Sequence, residues 1–200
     1  KNKKVDYTHG YRKKQLMVTF IVGAAVFFTV DAFIASKSSY DLRKYFWTFP
    51  TTEENVFRVE VLASQWMWTF RYPGPDAQFN TDDDVVTNHQ LYIPANRKVE
   101  LRLTSRDVIH SFYIPNIRNK VDAMPGRISR IWFEATKTGT FEIACAEMCG
   151  THHYKMKAHL YVLAPEDFDA WSNEAQKIAQ FSLDAENRDN YWGWPWENKQ

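Results

Sequence analysis

The residues with the most chemistry in this chain fall within the twelve-residue run CAEMCGTHHYKM, which contains Cys145, Glu147, Cys149, His152, His153 and Met156. Two thiolates, an imidazole and a thioether form a ligand set that suits copper, because Cys and Met select soft or borderline ions while hard-ion sites use oxygen. Cys145 and Cys149 are the only cysteines, so a disulfide in an oxidising compartment and a structural zinc site are the competing readings. Zinc prefers four Cys and His ligands, and Met is a poor partner for it. A further histidine, His110, stands upstream in SRDVIHSFYIP.

Short β-like runs surround these residues: 56–63, 65–72, 89–94, 99–104, 128–135, 140–145 and 158–164. Turn-separated strands at this spacing predict an all-β sandwich or barrel. Alternation in VELRLT and ISRIWFEA places apolar residues toward a core and Arg or Glu toward water. The cysteine run lies between two strands, as a loop at one end of the sandwich, and His110 lies between two others. Residues around YPGPDAQFNTDDDVV and NIRNKVDAMPGR read as loops, and no helix longer than a turn is expected inside the β region. After it, Pro165 opens an acidic first turn, and Phe168, Trp171, Ala175 and Ile178 recur at helical spacing, which predicts an amphipathic helix.

The N-terminal quarter has another character. Residues 1 to 50 carry nine Lys and Arg against three Asp, a charge near +6, and the remainder sits near −5. Leu16 to Ser36 is an apolar run whose helix would span roughly 30 Å, the thickness of a bilayer's hydrocarbon. Lys1, Lys3, Lys4, Arg12, Lys13 and Lys14 precede it, so the positive-inside tendency keeps that end cytoplasmic and exports the rest. A basic start before an apolar run also describes a secretory signal peptide; its presence in the chain favours an anchor. Asp31 near the outer end is expected to reach the interface or a neighbouring subunit. The divisions are therefore 1–15 basic segment, 16–36 membrane helix, 37–54 linker, 55–164 β domain and 165–200 helix with a Trp-rich tail. Trp192, Trp194 and Trp196 in that tail are expected to lie on another subunit.

Residues 56 to 173 resemble subunit II of cytochrome c oxidase. The likeness is carried by four segments in order: QWMW at Gln65 to Trp68, DVIHSF at Asp107 to Phe112, DAMPGR at Asp122 to Arg127, and the cysteine run at Cys145 to Met156. The resemblance implies a mainly β, cupredoxin-like Greek-key sandwich carrying a dinuclear copper centre, CuA. It implies that Cys145 and Cys149 bridge both coppers, that His110 and His153 each terminate one, that Met156 binds weakly, and that Glu147 offers its backbone carbonyl. His152 precedes the ligand position and is taken as a neighbour of the ligands. The Glu147 side chain is implied to reach a magnesium ion shared with subunit I, where a carboxylate suits a hard cation. His9, His89 and His159 lie off the pattern.

The same resemblance makes Trp66 the port for an electron from cytochrome c, with Trp68 as packing. Acids at 82 to 84, Asp107 and Glu134 are candidates for steering a basic donor. DAMPGR is expected to face the haem-bearing partner, with Arg127 in a salt-bridge or propionate network. Dioxygen reduction and proton pumping belong to that partner, and nothing implies a nucleic acid. The implied place is an energy-transducing membrane, with the copper domain on the periplasmic or intermembrane side. The family usually has two spanning helices before the β domain, and this sequence displays one. Other readings are the CuA domain of a nitrous oxide reductase-like protein and a membrane-anchored copper carrier.

Overall fold

The computed structural model describes residues 13–50, 55–81 and 83–182, and divides at Phe49 and Pro50 into two units. The first contains helix α1, Lys13–Leu42, which passes into a π-helical turn over Arg43–Trp47. No residue of α1 is buried, and Phe20 and Phe33 are 75% and 71% exposed. A long helix that is apolar on every side and lacks protein cover has the character of a membrane span. At 1.5 Å per residue α1 reaches about 45 Å, longer than a hydrocarbon layer. The helical backbone therefore continues through positions 37–47, which were expected to form a linker. Beyond the apolar run the helix is stabilised by local contacts. Lys37 bonds Asp41 one turn on, and the Lys44 ammonium lies over the rings of Tyr40 and Tyr45.

The second unit is built from ten strands: β1 Phe57–Ser64, β2 Met67–Tyr72, β3 Val85–Asn88, β4 Gln90–Pro94, β5 Lys98–Ser105, β6 His110–Ile114, β7 Asn119–Ala123, β8 Ser129–Glu134, β9 Gly139–Cys145 and β10 Lys157–Leu163. They form two five-stranded sheets, ordered β3-β2-β1-β5-β8 and β4-β10-β9-β6-β7. The pairs β1/β5 and β4/β10 are parallel and the other named pairs antiparallel. This is the cupredoxin-like sandwich that the sequence leads one to expect. Alternate side chains meet between the sheets: Val59, Val61, Trp68, Phe70, Leu101 and Leu103 from one, and Leu91, Ile93, Phe112, Ile114 and Ile143 from the other, all 0% exposed.

Two features of the sheets depart from the sequence reading. Strands β3 and β7 occupy segments expected to be loops, since short edge strands of mixed polarity carry little periodic signal. Glu100 was expected to face water, yet it is 1% exposed, because Arg58, Arg102 and Arg130 approach its carboxylate on the outer face of the sheet. Glu60 and Arg71, paired across β1 and β2, are buried together on that face with Asp84 beside them.

Helix α2, Pro165–Ser182, closes one edge of the sandwich. Phe168 packs edge-on against Phe57 with centroids 5.0 Å apart, and Trp171 stacks on Tyr92 at 4.4 Å. Ile178, expected on the packed face, is 62% exposed, and the neighbouring Ala179 is buried instead. The tail tryptophans and His9 lie outside the described residues.

Candidate metal centre

Two antiparallel strand ends create the site. His110 is the first residue of β6 and Cys145 the last of β9, and register places Phe112 opposite Cys145. The loop from Ala146 to Met156 leaves β9 and returns as β10. Its ends are joined by the Cys145 N–H bonding the Met156 carbonyl at 3.1 Å, and its start is fixed by the Ala146 N–H bonding the Ser111 carbonyl at 2.9 Å. A 3-10 turn at His153–Lys155 folds the loop inward. A short loop pinned at both ends presents its side chains from a rigid frame.

The side chains that converge are those read from the sequence. The sulfurs of Cys145 and Cys149 are 3.7 Å apart. His110 Nδ1 lies 4.0 Å from the Cys145 sulfur, and His153 Nδ1 3.5 Å from that of Cys149. Met156 Sδ stands 3.8 Å from the Cys149 sulfur, and the Glu147 carbonyl 3.2 Å from that of Cys145. His110 and Met156 are 0% exposed and Cys149 only 3%. His110, Cys145 and Cys149 could together hold a metal ion.

This donor set fits copper. Both cysteines are free thiols, each imidazole turns Nδ1 toward a sulfur, and a thioether completes the cluster where zinc would favour another Cys or His. Electrostatics separates the thiols. Burial opposes the Cys145 thiolate, but the His110 ring and the backbone at Glu147 and Ser111 outweigh it and hold Cys145 well below the ordinary thiol range. Burial, then the neighbouring Cys145, pushes Cys149 the other way. Of the two thiols, Cys145 is thus the one favoured as thiolate.

Trp66 lies in the turn between β1 and β2, outside the strand expected at 65–72, whereas Trp68 is fully buried in the core. The Trp66 ring meets the His152 ring at 4.4 Å. Gly150 adopts φ +121°, and a Cβ there would stand 2.9 Å from Gln65 Nε2 and 3.2 Å from the Trp66 ring. Glu147 and Arg127 are exposed. His89 bonds the Lys157 carbonyl at 2.9 Å, and His159 sits beside Tyr161, both apart from the cluster.

Sequence reasoning assigned Asp107 only a steering role, and it does more. Its carboxylate lies 2.8 Å from His110 Nε2, which leaves Nδ1 free for a metal. Partial burial works against its charge, but His110 and the N–H groups of Gln65 and Val108 hold it below the usual carboxylate range. Of the acidic run, Asp84 faces inward to Arg71 and is 3% exposed, so it does not belong to an outward acidic surface. Asp82 lies outside the described residues.

The family model described as cytochrome C oxidase subunit II, periplasmic domain, matches residues 57–162. Among curated relatives, the alternative cytochrome c oxidase subunit 2 of Bradyrhizobium diazoefficiens is 35% identical over 67% of this chain and 56% of its own length. Cytochrome c oxidase subunit 2 of Thermostichus vulcanus is 39% identical over 66% of this chain and 38% of its own. The chain thus spans well under two thirds of either relative. The crystal structure of the periplasmic domain of subunit II of cytochrome oxidase of Bradyrhizobium japonicum superposes with a TM-score of 0.57 at 27% identity, covering 66% of this chain and 99% of that one. With sheet order, ligand-bearing loop and family match in agreement, the chain belongs to the cytochrome c oxidase subunit II family.

Proposed function

We propose that this chain is the electron-receiving subunit of a cytochrome c oxidase, taking single electrons from cytochrome c and passing them to a haem in the catalytic subunit I. The observation that supports it most is the connected cluster of donors, in which His110 meets Cys145, Cys145 meets Cys149, and Cys149 meets His153 and Met156, each contact 3.5 to 4.0 Å. In this reading the Cys145 and Cys149 thiolates, the Nδ1 atoms of His110 and His153, the Met156 thioether and the Glu147 carbonyl would together hold a copper pair. A dinuclear copper centre supplies a one-electron site whose charge is shared by two metals, so little rearrangement accompanies transfer. The protein's part is to hold the ligands in a dry cage: β6 and β9 fix His110 and Cys145, and Asp107 fixes the His110 ring.

Trp66 is the port at which the donor docks. It is partly buried, in contact with His152 and Gly150 of the ligand loop. The exposed Glu147 carboxylate reaches a magnesium ion shared with subunit I. Dioxygen reduction and proton pumping take place on that partner. Residues 16–36 cross the hydrocarbon of an energy-transducing membrane, and 55–164 form the copper domain outside it. The N-terminal side of that span faces the cytoplasm or matrix, and helix α2 packs on the domain.

The test is to load the full chain with copper in detergent and record its electron spin resonance spectrum. The expected result is a purple protein whose signal is split by two equivalent copper nuclei. A spectrum of one isolated copper overturns the proposal.

A further inference from the structure

Besides the proposed ligands, Gln65 and Asp107 make a continuous run of polar connections at this end of the sandwich. The Gln65 backbone N–H donates to Asp107 Oδ2 at 2.6 Å, and Asp107 Oδ1 lies 2.8 Å from His110 Nε2. The Gln65 side chain donates through Nε2 to the Cys149 carbonyl at 2.7 Å. Asp107 is itself held by the Val108 N–H at 2.6 Å and by Ser105 Oγ at 3.3 Å. The residue whose carbonyl carbon begins the Trp66 peptide is therefore bound to both ligand-bearing segments, one at the head of β6 and one in the Cys149 loop.

The opposite side of the Trp66 ring allows no slack. Gly150 comes so near that a Cβ would press on both Gln65 and the indole, His152 covers another edge, and the indole Nε1 is buried without a hydrogen-bond partner. A ring that gains nothing from a hydrogen bond of its own needs its backbone held to stay in place. Transfer between an aromatic ring and a metal site falls steeply as their separation grows, so this restraint bears directly on rate.

We infer that Gln65 and Asp107 are positioning residues that fasten the Trp66 indole to the His110 and Cys149 segments, with metal absent as well as bound. This inference rests on the function proposed above, since the restraint matters for electron uptake only if a copper pair lies beneath Trp66. The carbonyl of Cys149 and the ring of His110 are the two anchor points, and Gln65 joins the tryptophan to the first directly and to the second through Asp107.

The test uses Gln65→Glu, which keeps the shape of the side chain but presents no N–H to the Cys149 carbonyl, with Gln65→Met as a second variant. In the copper-free full chain, the expected result is solvent exchange of the Trp66 indole N–H faster by about tenfold or more, as local opening becomes easier. In the assembled oxidase, copper content, the copper spectrum and KM for reduced cytochrome c should be unchanged, while the limiting rate of electron uptake falls by about tenfold. Wild-type indole exchange in both variants overturns the inference, as does wild-type uptake in a variant with intact copper. If a variant loses copper, its indole exchange in the metal-free chain still decides. Failure of the functional proposal is seen separately, as the absence of a two-copper spectrum from the unaltered chain.

Discussion

The sulfurs of Cys145 and Cys149 lie 3.7 Å apart with no bond between them. Two thiols this near, one of them shifted toward its thiolate, form a disulfide readily under oxidant, since the thiolate is the reacting form. A cystine would withdraw both sulfurs of the proposed copper site at once. Mild oxidation of the copper-free chain should therefore abolish copper uptake, and a thiol reductant should restore it. Free-thiol titration alongside bound copper checks this; full copper uptake by the oxidised chain would exclude these sulfurs as ligands.

Trp66 and Trp68 are two residues apart but differ in setting: Trp68 is a 0% exposed core residue, and Trp66 caps the ligand loop. Trp66→Phe should leave copper content and folding unchanged and slow electron uptake from cytochrome c by tenfold or more, as expected for a positioned contact. Trp68→Ala should instead destabilise the domain by about 3 to 5 kcal/mol. Stopped-flow reduction and denaturant unfolding separate the two effects.

The convergence of these side chains was legible because Cys145, Cys149, His153 and Met156 sit within one loop, and His110 was found through its motif. The strands of the surrounding sandwich were legible wherever apolar alternation ran for six residues or more, as in β5 and β8. Glu100 defeats that alternation, because a carboxylate can be buried when guanidinium groups from neighbouring strands come to it, and pairing across strands has no local signature. The role of Gln65 was hidden for the same reason: its partners Asp107 and Cys149 lie 42 and 84 residues away.

Gly150 offers a test of how closely the ligand loop must approach the Trp66 turn. Its φ of +121° disfavours any side chain, and a Cβ would lie 2.9 Å from Gln65 Nε2. Gly150→Ala should cost about 1 to 3 kcal/mol, the range for a residue held in sparsely populated backbone. It should also displace the Gln65 amide from the Cys149 carbonyl. Denaturant unfolding of the copper-free chain measures the first effect, and amide resonances of Gln65 the second; an unperturbed Gln65 amide would mean that the loop has room to move.

The buried group Glu60, Arg71 and Asp84 sets the sign of one pH dependence. Two carboxylates share one guanidinium, and burial pushes Glu60 up to about 7 and Asp84 to about 6, against the pull of Arg71. Both therefore hold a proton more tightly in the folded protein than in the unfolded chain, whose carboxylates titrate near 4. As pH rises through about 4 the unfolded chain releases its protons first, so stability falls until the folded groups ionise in turn near 6 and 7. The contribution is fully present below pH about 4 and lost by about pH 7. Glu60→Gln cannot ionise, so the decline in stability of the β unit between pH 4 and 7 should flatten in that variant. Urea midpoints across this range, compared with those of the unaltered chain, provide the measurement; an equally steep decline in both would place its source elsewhere.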